Sequence, residues 1–211
     1  VPLAHADSPI AFARSGIIDY EKAWQIQRTV HAEVAEGSRP NTLMLLQHPP
    51  VFTLEHERPN DGTPVIDVDR GGKITWHGPG QIVGYPIVRL ANRLDVVGFV
   101  REIETALIAV CKEFDINAER YCERSGVWLR DEAGDRKVAA IGIRYAKGVT
   151  MHGFALNVNP DLSWFDRIVP CGLPDATATS MSAELGRNVT IEEVVPVVER
   201  HIYEALARVS A

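Results

Sequence analysis

Three strand-like runs, GVWLR, KVAAIGIRYAKG and VTMHGFALNVNP, follow one another between residues 126 and 160 with no helical pattern between them. That succession is incompatible with strict strand–helix alternation and points to an α+β or mixed-sheet domain. Helical periodicity lies elsewhere. DYEKAWQIQRTVHAEVAEG sets Ala23, Ile26, Val30 and Val34 on one face and stops at a glycine. DVVGFVREIETALIAVCKEF predicts a second amphipathic helix, with Cys111 inside it as a small core residue. Thr190 with Glu193 three residues on forms a capping box ahead of VVPVVERHIYEAL, where Pro196 predicts a kink or a later start. TLMLLQHPP is a short apolar run closed by two prolines and reads as a buried strand.

At 211 residues, with no repeat and no linker, residues 1–211 are expected to form one domain. The formal charge of −6 argues against a nucleic-acid binder. A local basic patch remains, because Arg70, Lys73, Arg136, Lys137, Arg144 and Lys147 fall in two stretches. No run reaches the ~18 apolar residues of a membrane helix, so no membrane partner is expected. The opening VPLAHADSPIAFARSG lacks the blocks of a secretory signal peptide. Cys111, Cys122 and Cys171 make no even framework and no CxxC pair, which suits a reducing, cytoplasmic setting.

The stretch DRGGKITWHGPGQIVGYP, Asp69 to Pro86, holds five glycines. It matches neither GxxxxGK[ST] nor GxGxxG, so the common phosphate cradles are excluded. Gly78-Pro79-Gly80 is strong turn chemistry, and a plain inter-strand loop would account for it. Arg70 and His77 exceed what a turn requires. Polar groups held beside bare backbone are what a ligand or oxyanion site needs.

Cys171, in RIVPCGLPD, sits on a turn-prone loop outside any apolar period, open both to a nucleophilic role and to none. His5, His31 and His201 read as tail or helix-surface residues. His48 stands before two prolines, equally suited to a rigid structural role. His77 and His152 each precede a glycine. Lys137 heads the apolar run KVAAIGI, a setting that favours the neutral amine of a general base, although a lysine snorkelling from a strand start fits as well.

RGGKITWHGPGQIVGYP, RKVAAIGIR, MHGFALNVN and IVPCG occur in the order found in octanoyl-acyl-carrier-protein:protein N-octanoyltransferases, and LLQHPPVFTL is similar to that family too. The resemblance spans about Asp19 to Leu185. It implies a mixed-sheet α+β single domain similar to lipoate and biotin protein ligases. By the same resemblance Cys171 is the nucleophile that carries the octanoyl thioester and Lys137 is its partner. The substrate-binding segments are then Arg70, Gly71, Gly72, Lys73, Ile74, Thr75, Trp76 and His77; Ala140, Ile141 and Gly142; and His152, Gly153 and Phe154. His48 and Gly172 have possible supporting roles, Gly172 as an oxyanion donor through its N–H.

The implied donor is octanoyl-acyl carrier protein. The implied acceptors are lipoyl domains of 2-oxoacid dehydrogenases and the glycine cleavage H protein. No cofactor and no metal are implied. Both partner classes are acidic, so Arg70, Lys73, Arg136 and Arg144 are expected to form a basic docking rim. The resemblance departs between Thr53 and Arg58, where only LEHE stands in place of a longer glycine- and arginine-containing loop. Three other activities compete: an ATP-using ligase of the same fold, a cysteine hydrolase using His77 or His152, and a silent carrier-binding module.

Overall fold

The computed structural model describes residues 10–54, 65–71, 74–91, 95–121, 124–168 and 176–211. In chain order the strands are β1 (Ile10–Ile17), β2 (Asn41–Gln47), β3 (Val51–Leu54), β4 (Val65–Asp67), β5 (Thr75–His77), β6 (Gln81–Ile87), β7 (Glu119–Tyr121), β8 (Arg124–Asp131), β9 (Gly134–Ala146), β10 (Val149–Asn157) and β11 (Ala176–Ala178). The helices are α1 (Tyr20–Glu36), α2 (Val96–Glu113), α3 (Met181–Leu185) and α4 (Ile191–Val209), with a 3-10 turn over Leu162–Arg167.

The main sheet runs β1-β2-β6-β10-β9-β8-β7, and a three-stranded sheet runs β4-β3-β5. Among the described residues, only β1–β2, β3–β4 and β9–β11 pair in parallel. The three successive runs of the sequence are β8, β9 and β10, an antiparallel meander at the centre of the main sheet. β9 pairs with β10 over Ala139–Ala146, while β11 lies along its first residues, Asp135–Lys137. The segment that follows residues 169–175 is thereby anchored beside Lys137: Thr179 N–H donates to Lys137 C=O at 2.9 Å.

One face of the main sheet packs against α2 and α4 through Leu43, Ile82, Phe154 and Leu156, with Phe99, Leu107, Val198 and Ile202 from the helices. The other face carries α1, which buries Ala23, Val30 and Val34 on Met44, Val83 and Ala155. Phe52, Trp76 and Phe165 close a third cluster between the small sheet and the 3-10 turn.

Helix ends follow the caps. Asp19 accepts from Lys22 N–H at the start of α1, and Gly37 ends it in the left-handed region at φ 79°. Thr190 and Glu193 form a full capping box, so α4 begins ahead of Pro196, not after it. One helical face differs from expectation. Ile26 is 37% exposed, and Gln27 is buried in its place. The reason is a polar demand in β10, described next.

Candidate active site

A cavity of about 100 Å³ lies between the first turn of α1, strand β5 and the face of β6, β10 and β9. Arg70, Ile74, Thr75 and His77 line it from the glycine-rich stretch, Lys137, Ala140, Ile141 and Gly142 from β9, and His152, Gly153 and Phe154 from β10. Three segments far apart in sequence thus meet on one space. Ile141 and Phe154 also belong to the core packed on α2 and α4, so their side chains serve both.

The loop is laid directly on β9. Gly71 N–H donates to Ile143 C=O at 3.3 Å. A Cβ at Gly142 would come within 2.7 Å of the Gly71 carbonyl oxygen and 3.0 Å of Arg70 Cδ. The Arg70 guanidinium donates to the Thr53 hydroxyl at 2.9 Å and to its carbonyl at 3.3 Å. Burial pushes the neighbouring Tyr20 phenol up to about 12, against the pull of the Arg70 charge. Gly80, at φ 86°, would drive a Cβ into the Asn159–Pro160 backbone. These two glycines bring backbone against backbone.

The histidine tautomers follow from their partners. Gln81 Nε2 donates to Trp76 C=O and Asn157 Oδ1, so its Oε1 accepts from His77 Nδ1–H at 2.7 Å. The His77 lone pair is then on Nε2. Burial first, then His48 nearby, holds His77 down at about 3, and the ring is neutral at pH 7. Asn157 Nδ2 donates onward to Thr179 C=O, which ties the loop to the chain after β11. His48 Nδ1–H donates to Ile18 C=O at 2.7 Å, so its Nε2 accepts from the Tyr85 hydroxyl at 2.7 Å. His48 therefore stands behind Tyr85, a wall residue, and does not line the cavity.

His152 sits at φ 60° inside β10, a left-handed conformation uncommon outside glycine. Pairing of β10 with β6 resumes only at Phe154. The freed His152 N–H donates to Gln27 Oε1 on α1 at 2.9 Å, which is why Gln27 is buried and Ile26 is not. His152 Nε2–H donates to Asp69 Oδ1 at 2.8 Å. Its Nδ1 is a buried lone pair with no hydrogen-bond partner among the described residues. Burial, then the guanidiniums of Arg70, Arg144 and Arg28, lowers this imidazole to about 3. The cavity thus carries two neutral imidazoles suited to accept hydrogen bonds from a substrate.

Lys137 is 8% exposed. Its Nζ lies 4.4 Å from the centre of the Trp128 ring, directly across the β8–β9 pair. Ile168 and Ala178, the described residues closest to either side of the 169–175 segment on this wall, line the same cavity.

Several expectations change. Trp76 is buried but faces Trp164 and Phe165, so it supports the small sheet and does not line the cavity. Arg70 is buried on Thr53, and Arg136 spans Asp131 and Glu184 in a two-sided ion pair; neither is a free rim cation. Arg144 is exposed and pairs with Asp69. His31 is not a bare helix-surface residue: its Nε2 contacts Ala146 and Val149 carbonyls at the β9–β10 turn. Gly72, Lys73, Cys171 and Gly172 lie outside the described residues, as do His5, Cys122 and the short loop after Leu54. Tyr20, Gln27, Asp69, Gln81 and Asn157 were not singled out by sequence. Asp69 and Gln81 lie within the glycine-rich stretch, which is the one signal available for them.

The sequence profile described as the lipoyl protein ligase A/B catalytic domain matches residues 19–203. The chain belongs to this family. An octanoyltransferase of Acidothermus cellulolyticus is 59% identical over 203 residues, covering 93% of this chain and 92% of the relative. One from Mycolicibacterium smegmatis is 54% identical, covering 95% and 91%. Among solved structures, a bipartite lipoate protein ligase of Thermoplasma acidophilum superposes with a TM-score of 0.68 at 14% identity, covering 93% of this chain and 83% of that one. A biotin protein ligase of Aquifex aeolicus gives 0.53 at 12% identity, covering 94% and 68%. These last two likenesses establish the mixed α+β ligase fold. No helix of the described residues is long and apolar enough to cross a membrane.

Proposed function

We propose that this chain transfers an octanoyl group from the thioester of acyl carrier protein to a lysine of a lipoyl domain, through a thioester on Cys171. Lys137 takes the Cys171 proton, and the thiolate attacks the donor carbonyl. The tetrahedral intermediate collapses, and the carrier sulfur leaves with the proton held by Lys137. The acceptor amine then attacks the acyl-enzyme, gives its proton to Lys137, and the protonated lysine returns it to the departing Cys171 sulfur. A thioester becomes an amide, so no nucleotide is consumed. Backbone N–H groups beside Cys171, Gly172 first, are the proposed oxyanion donors.

One observation carries this reading. Lys137 shares its cavity wall with Ile168 and Ala178, which flank the Cys171 segment on both sides. Cys171 is three residues on from Ile168 in the chain, a reach of at most about 11 Å. His77 and His152, both neutral, are assigned to orienting the substrate, not to abstracting the thiol proton. The names of the octanoyltransferase relatives support the acyl group, and the Thermoplasma structure, described with an E2 lipoyl domain, supports the acceptor class. The acceptor classes and the cytoplasmic setting read from the sequence are retained here.

Intact-mass measurement after incubation with octanoyl-acyl carrier protein tests the reading. The parent protein gains one octanoyl group, and Cys171→Ser and Lys137→Ala lose it. Retention of transfer in Cys171→Ser with ATP and free octanoate would instead identify an adenylating ligase.

A further inference from the structure

Glu104 is fully buried on α2. Its Oε2 pairs with Arg101 at 2.7 Å and Arg120 at 3.0 Å. Desolvating such a cluster makes it a weak source of stability, and apolar side chains of similar volume often serve as well. Its remaining oxygen makes one specific contact, in which Oε1 accepts the backbone N–H of Gly126 at 3.0 Å.

Gly126 stands where the β8–β9 register slips. Val127 pairs with Ala139 and Trp128 with Lys137, so Val138 is an extra residue on β9. A bulge of this kind re-aims the side chain beside it. At φ 115° Gly126 has backbone angles that only glycine adopts comfortably. A Cβ there would lie 2.5 Å from Ala139 C=O, 3.3 Å from Lys137 Cε and 3.5 Å from Lys137 Nζ. The Lys137 amine therefore runs through a slot with the Trp128 ring on one side and the bare Gly126 backbone on another.

We propose that Glu104 is a positioning residue for the Lys137 amine: it holds Gly126 N–H, and Gly126 forms the wall that sets where Nζ lies. Glu104 itself is not on the cavity wall. The inference rests on the general-base role assigned to Lys137 above. It adds a residue that motif and charge reading pass over, since a glutamate inside an amphipathic helix carries no catalytic signature.

The test is single-turnover acyl-enzyme formation from an octanoyl thioester, normalised to the burst amplitude so that only active molecules count, across pH. Glu104→Asp keeps the charge but withdraws the carboxylate by one methylene. It should slow the normalised step by about tenfold or more, shift the acidic limb of the profile, and leave the thioester KM unchanged. Glu104→Gln has a single acceptor oxygen, which the two guanidiniums claim, so its NH2 meets the Gly126 N–H and the normalised step should slow as it does in Glu104→Asp. Arg120→Ala weakens the same ionic cluster without touching Gly126, and should lower the melting temperature while leaving the profile in place. If Glu104→Asp keeps the parent profile, or if all three variants slow in proportion to lost stability, the proposal is wrong. Lys137→Ala is the separate control: if it still forms the acyl-enzyme at the parent rate, the general-base reading fails first, whatever Glu104 does.

Discussion

Gly142→Ala isolates the contact between β9 and the glycine-rich loop. Gly142 is not in the left-handed region, so alanine meets no backbone strain there and the added methyl acts by bulk alone. That methyl would sit 2.7 Å from the Gly71 carbonyl oxygen, where ordinary contact begins at 3.4 Å. Arg70 and Gly71 must retreat by about 0.7 Å, and the Arg70–Thr53 hydrogen bonds resist them. A misplacement of about 1 Å can cost around a hundredfold in rate. A retreat of this size is therefore expected to slow octanoyl transfer about 20- to 30-fold. Overpacking costs about 1–3 kcal/mol, a fall of about 2–12 °C in melting temperature at this chain length. The assay is steady-state transfer to a lipoyl domain, with circular dichroism melts alongside. Gly16→Ala is the matched control, since a methyl there meets nothing within 4 Å. A Gly142→Ala protein that stays folded and transfers at more than half the parent rate would refute the idea that this loop is held in register by β9.

Acid should destabilise the fold through its buried imidazoles. His77 and His152 sit at about 3, and His48 is also lowered, against about 6.5 when unfolded. The His77 and His152 contributions are complete above pH 6.5 and are lost as pH falls from 6.5 toward 3, at about 1.4 kcal/mol per unit for each of the two, and His48 acts in the same direction. Urea melts between pH 7 and pH 4 should show this slope, and His77→Gln should flatten it; a pH-independent midpoint over that range would contradict it. Asp69→Ala removes the acceptor that fixes the His152 tautomer, and about a tenfold loss of transfer with little change in melting temperature is expected; unchanged activity would remove His152 from the proposed orienting groups. Arg136→Ala should lower stability by about 1–3 kcal/mol, because it leaves the part-buried Glu184 carboxylate without its guanidinium partner. An effect on carrier-protein KM alone would return Arg136 to the docking rim.

The legible parts of the molecule were those with local causes. Asp19 and Gly37 bracket α1, Thr190 and Glu193 open α4, and the successive apolar runs give β8 to β10 their order. The face of α1 was less legible, because a hydrophobicity pattern selects Ile26. The buried position instead went to Gln27, whose amide oxygen serves a backbone N–H that the β10 distortion had freed. Charge was likewise visible while its burial was not: Arg70 and Arg136 read as rim cations, yet each is committed to internal partners. Trp76 shows a limit of motifs, since a residue inside a substrate-binding signature can serve only the packing beneath it. The order of motifs brought Arg70, Lys137 and His152 to one cavity. The Tyr20, Gln81 and Asn157 side chains that complete its wall carry no spacing signal.

Cys111, enclosed in α2 with its thiol pushed up to about 12 by burial, gives the protein an internal clock for its own opening. In the native protein near pH 8 an alkylating reagent can reach at most the other two thiols, Cys122 and Cys171. Any third equivalent must wait until α2 parts from the sheet. The rate at which it appears then reports how often the core opens, with no cysteine introduced by mutation.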